Sequence, residues 1–118
     1  MSELAHPGQR VRLLVLYLDG DAPVQATGTV NDYPFYFRAR GNTWRFAVAG
    51  IHGTHHDAIR VSTGEAMGFL LSRRYGRERH DASILSYELA MTFIQRCARA
   101  FVAFTSASEQ QQERMMAS

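Results

Sequence analysis

The sequence predicts an α+β fold: a four-stranded antiparallel meander over about residues 10 to 49, packed against a long C-terminal helix, with one shorter helix over about 63 to 75. Three observations carry this. Between residues 10 and 49 apolar side chains recur with the period of a strand. Two pairs of turn formers, Asn31-Asp32 and Gly41-Asn42, divide that stretch at hairpin spacing. Beyond residue 83 the apolar positions change to the period of a helix.

The first strand is the apolar run Arg10 to Leu18, closed by the turn-rich cluster Asp19-Gly20-Asp21-Ala22-Pro23. It is apolar on both faces. A strand of that kind needs cover on both sides or a partner across a subunit boundary, so a homodimer is expected. Val24 to Val30 follows, alternating Val24, Ala26, Gly28 and Val30 with Gln25, Thr27 and Thr29.

Two-residue turns at Asn31-Asp32 and Gly41-Asn42 fix the register by counting. Gly28 then faces Phe35 and Ala26 faces Phe37, while Phe37 meets Phe46, Ala39 meets Trp44 and Phe35 meets Val48. One face collects Phe35, Phe37, Trp44, Phe46 and Val48, with Gly28 and Ala26 leaving room for the rings. The opposite face carries Gln25, Thr27, Thr29, Tyr36, Arg38, Arg40, Arg45 and Ala47, with Arg38 directly across from Arg45. Like charges in that position destabilise a pair of strands by up to ~1 kcal/mol unless something anionic or aromatic lies between them.

After Gly50 comes a histidine-rich loop, and then Ser62-Thr63-Gly64-Glu65, which has the spacing of a capping box and starts the shorter helix. Met67, Leu70 and Leu71 would turn inward from it, and Gly76 would stop it. The segment Arg73-Arg74-Tyr75-Gly76-Arg77-Glu78-Arg79-His80 is strongly basic and expected to be exposed. Asp81 or Ser83 can cap the last helix, running to about Phe104, with Ala90, Phe93, Ile94, Cys97, Ala98 and Phe101 among its inward residues. The 118 residues suit a single domain with flexible ends at 1 to 8 and 106 to 118.

Net charge is only +2, yet all 13 basic residues are arginine. That usage fits anion recognition, and it also fits a GC-rich genome. The one cysteine leaves no internal disulfide to form. No apolar run is long enough to span a bilayer and none resembles a signal peptide, so a cytoplasmic location without membrane attachment is expected.

Three classes of function compete. His52, His55, His56 and Asp57 carry imidazole and carboxylate groups that could ligate a metal and activate water, giving a metal-dependent enzyme. The spacing departs from the helical zincin pair, and no cysteine stands near to complete a site. No Gly-x-Ser-x-Gly, Gly-x-Gly-x-x-Gly or P-loop occurs, so neither a nucleophile elbow nor a nucleotide cofactor is indicated, and no cofactor is expected.

The second class is single-stranded nucleic-acid binding on the arginine face, with Arg10 and Arg12 added from the first strand. Sheets that do this display two or three aromatics, whereas Tyr36 alone faces outward here. The third class leads: a small non-enzymatic adaptor or inhibitor, of bacterial or phage accessory type, docking onto an acidic protein surface. Its binding residues would be Tyr36, Arg38, Arg40 and Arg45, with Arg73, Arg74, Arg77 and Arg79 from the basic segment.

Overall fold

A computed structural model describes residues 10–20, 23–50, 52–76 and 85–117, with side chains as far as Ala107. Its class is α+β, built on one antiparallel sheet in the order β1-β2-β3-β4-β5. The strands are β1 (Leu13–Asp19), β2 (Val24–Val30), β3 (Tyr33–Arg40), β4 (Thr43–Val48) and β5 (Phe69–Arg74). Helix α1 (His55–Ser62) lies between β4 and β5, and α2 (Tyr87–Ala117) closes the chain.

Both hairpins have the register that counting across the turns predicts. Gly28 pairs with Phe35 and Ala26 with Phe37, and on the other side Phe37 pairs with Phe46 and Arg38 with Arg45. The first turn holds positive φ at both Asn31 and Asp32, the second at Gly41. These are residue types that tolerate such angles at low cost.

The front face of the sheet is the core. Phe35, Phe37, Phe46, Val24, Val30 and Val48 are fully buried there, under Ala90, Ile94, Cys97, Ala98, Phe101 and Val102 of α2. Trp44 stacks on Phe93 with ring centroids 5.3 Å apart, and Phe101 meets Tyr33 and Phe69 edge-on at the same distance. Each buried ring of this kind stabilises the fold by about 1.5–3 kcal/mol. Gly28 permits the packing: an added Cβ would collide with the Leu14 carbonyl oxygen and stand 2.8 Å from Phe35 Cε2.

The sheet has five strands rather than four, and residues 63–75 are not a helix. The short helix is α1, eight residues earlier in the chain. Thr54 caps it: Thr54 Oγ1 accepts from the Asp57 backbone N–H, and the Asp57 carboxylate reaches back to the Thr54 N–H at 2.9 Å. The Ser62-Thr63-Gly64-Glu65 sequence belongs to the other end of that helix. Gly64 adopts φ +82°, its N–H donates to the Val61 carbonyl, and the Glu65 N–H donates to the Arg60 carbonyl at 2.8 Å. Those bonds are the Schellman closure of a helix C-terminus.

Strand β5 then pairs with the free edge of β4, placing Phe69 and Leu71 on the core side opposite Val48 and Phe46. Pairing satisfies the β4 backbone groups, which a helix over 63–75 would leave open. Met67, expected to turn inward, is 94% exposed.

Strand β1 also departs from simple alternation. Its register slips between Val15 and Tyr17, a bulge that leaves Leu13, Val15 and Leu18 against the core and Leu14, Leu16 and Tyr17 exposed.

Candidate functional site: an arginine cleft on the back of the sheet

The back face is divided between cover and opening. Helix α1 lies across β3 and β4 and buries Tyr36, Ala49 and Ala58 as a second small cluster. Beyond the C-terminal end of α1, toward the β3–β4 turn, the face opens into a cleft of about 310 Å³. Arg38, Arg40, Thr43, Arg45, Ser62 and Thr63 line it. Strand register explains the convergence. Arg38 and Arg45 are cross-strand partners, and Arg40 lies across from Thr43 one step toward the turn.

The three guanidiniums differ in how they are held. Arg45 Nη1 donates to the Ser62 carbonyl at 3.0 Å, so the last turn of α1 anchors it. Arg40 is exposed. Arg38 is half-buried beside the Tyr36 hydroxyl, and its Nε is shut off from water and makes no hydrogen bond. A charged donor left in that state carries an uncompensated desolvation cost. Among the described residues no carboxylate lines the cleft, and the ion pairs among them, Arg12 with Asp32 and Arg60 with Glu65, do not include these arginines.

The cleft's hydroxyl protons are already committed. Thr43 donates to Asn42 Oδ1, Ser62 to the Ile59 carbonyl and Thr63 to the Arg60 carbonyl. Among the described side chains that line the cleft, the donors left for a ligand are therefore those of the arginines.

The remaining sequence-predicted residues separate. Tyr36 does not stand on the open surface: it is 6% exposed, and its hydroxyl donates to Gln25 Oε1 at 2.8 Å. Burial pushes its phenol above the ordinary value, while the adjacent Arg38 pulls the other way. Arg74 shares the back face, because it pairs with Thr43. Arg73 pairs with Trp44 and so belongs to the front side, where it joins Arg96, Trp44, Leu71, Phe93 and Cys97 around a smaller apolar cleft of about 200 Å³. Arg77 and Arg79 lie outside the described residues, as do His80 and Asp81. Arg12 pairs with Asp32 at the far end of the sheet, away from the cleft.

His55 and His56 open α1, and His52 lies in the turn before it. His52 and His56 are exposed, and His55 Nδ1 is buried without a partner. Asp57 is committed to the cap, and the backbone N–H and hydroxyl of Thr54 hold its carboxyl below the usual range. Among the described residues no three His, Cys, Asp or Glu side chains gather as a metal would require. Burial pushes the Cys97 thiol up to about 12, so at neutral pH it is a protonated core side chain. No helix among the described residues is long and apolar enough to cross a membrane.

Sequence reasoning found Arg38, Arg40 and Arg45 but missed Thr43, Ser62 and Thr63. The signal for the last two was Gly64, which marks a helix end rather than a beginning. No protein-family model, no curated protein and no solved structure matches this chain.

Proposed function

We propose that this is a small non-enzymatic binding protein of adaptor or inhibitor type, acting in the cytoplasm, whose arginine cleft receives an anionic group on the surface of a partner protein. The observation that carries the reading is the half-buried Arg38, with a water-excluded Nε that makes no hydrogen bond, beside Arg40 and Arg45 in a cleft that no carboxylate lines among the described residues. Guanidinium forks match carboxylate and phosphate oxygens two bonds at a time, and a desolvated one gains most from such a partner.

The burial of Tyr36 weighs against the nucleic-acid alternative. A ring packed beneath α1, with its hydroxyl engaged by Gln25, offers no platform on which a base could stack. The commitment of Asp57 to the Thr54 cap weighs in the same way against a metal-dependent enzyme at His52, His55 and His56.

Fluorescence anisotropy with a labelled glutamate-rich peptide, a lysine-rich peptide and a single-stranded oligonucleotide tests the reading. The acidic peptide is expected to bind and Arg38→Glu with Arg45→Glu to abolish that binding. Tighter binding of the oligonucleotide, or retention of the acidic peptide by the double variant, would overturn it.

A homodimer belongs to the same proposal. It is supported by Leu14, Leu16 and Tyr17, which stand exposed along the edge strand β1. Light scattering that shows a monomer at every concentration would remove the dimer and leave the cleft untouched.

A further inference from the structure

The composition of the cleft narrows the kind of anion it suits. A single carboxylate has two oxygens, and one arginine fork can engage both of them. Here three arginines line one cleft, each bringing several N–H donors and a full positive charge. The C-terminal end of α1, worth about half a negative charge, offsets a small part of this through the Ser62 carbonyl, which accepts from Arg45. An Asp or Glu side chain would therefore leave the cleft with an excess of donors and of positive charge.

A phosphoryl monoester meets both requirements. It brings three strong acceptor oxygens and a charge of about −1.5 to −2 at neutral pH. It also answers the cross-strand placement of Arg38 against Arg45, because one dianionic group between two like charges replaces repulsion with two attractive contacts. The cleft, at about 310 Å³, has the size at which small-ligand pockets begin. It is open at the surface beside the exposed Arg40, so the group can arrive on a protruding side chain. A phosphodiester suits it less well, since each linkage carries a single charge and only two free oxygens.

We infer that the cleft takes a phosphoryl monoester carried on a side chain of the partner protein, so that docking depends on the partner's phosphorylation. This inference rests on the docking function proposed above. Arg38 and Arg45 grip the phosphoryl oxygens from the two strands, and Arg40 closes over the outer side. Arg74, on the same face beyond Thr43, adds positive charge along the approach.

Anisotropy with three versions of one labelled peptide, bearing phosphoserine, glutamate or serine at its centre, provides the test. The phosphoserine peptide is expected to bind at least tenfold more tightly than the glutamate peptide and the serine peptide not at all, with Arg38→Gln plus Arg45→Gln erasing the difference. Circular dichroism of that variant confirms that it folds. Equal binding of the phosphoserine and glutamate peptides would overturn the phosphoryl inference and leave acidic docking standing. Failure of both peptides, together with failure of the glutamate-rich peptide, would remove the docking function as well. Inorganic phosphate binding as tightly as the phosphopeptide would overturn the partner-borne source in favour of free phosphate. A single-stranded oligonucleotide outcompeting the phosphopeptide would overturn the choice of monoester.

Discussion

The two faces of the sheet are made from the same strands and end in opposite conditions. On the front, the large side chains of β3 and β4 share one core cluster with residues of α2, and Phe35, Phe37 and Phe46 are entirely withdrawn from water. On the back, α1 covers Tyr36 and Ala49 and then ends, leaving three arginines around an open cleft with Arg38 Nε unsatisfied. Packing accounts for the first face. It does not account for the second, where two like charges stand opposite one another at a cost of up to ~1 kcal/mol that no internal carboxylate offsets among the described residues. A side-chain set that costs stability and lacks a counter-charge among the described residues is more economically explained by an external one.

The front face breaks most severely. Phe37→Ala removes a wholly buried ring that stacks on Trp44 in the core cluster, and should cost about 3–5 kcal/mol in urea unfolding. Gly28→Ala is the next test. It drives a methyl group toward the Leu14 carbonyl and the Phe35 ring, and should cost about 1–3 kcal/mol on the same scale. If Gly28→Ala were neutral, the tight fit claimed for the front face would be wrong.

The cover over the back face is weaker. Thr54→Ala removes the hydroxyl that caps α1 and should cost about 1 kcal/mol. The bond also predicts a pH dependence. Because Asp57 has its carboxyl pKa lowered by the Thr54 N–H and hydroxyl, its stabilising effect is present above the unfolded-state pKa. It is lost as pH falls through the folded one. Asp57→Asn should flatten that part of an acid unfolding curve, and an unchanged curve would show that the cap does not hold the helix.

How far the molecule was legible in its sequence follows the same division. Hairpin registers were readable because Asn31-Asp32 and Gly41-Asn42 leave two-residue turns, and a strand's period of two then forces every partner from Gly28 to Val48. The arginine face followed from that count alone. What misled was the interval from 52 to 75, where two segments share the spacing of a capping box. Thr54 to Asp57 starts a helix; Ser62 to Glu65 ends it, because Gly64 takes the left-handed conformation that closes a C-terminus.

Residues 67 to 71 carried a second ambiguity. Met67, Leu70 and Leu71 suit a helical face, while Phe69 and Leu71 suit a strand, and a window of five residues cannot separate the two periods. The free edge of β4 decided it, and that edge is a tertiary fact. The β1 bulge was equally hidden, since nothing local to Val15-Leu16-Tyr17 announces the extra residue. The cleft needed all of this: the Ser62 carbonyl meets Arg45, and Thr63 lines the cleft beside it, only because α1 ends where it does.

The arginines should respond in the opposite direction from every core residue, and the most direct measurement uses one variant in two assays. Arg38→Gln with Arg45→Gln is unfolded in urea and titrated with the glutamate-rich peptide. Stability equal to the wild type, or up to ~1 kcal/mol above it, together with loss of peptide binding, is the predicted result. A double variant that is clearly less stable than the wild type, or that still binds the peptide, would place these arginines in the service of the fold and contradict the assignment of the back face to recognition.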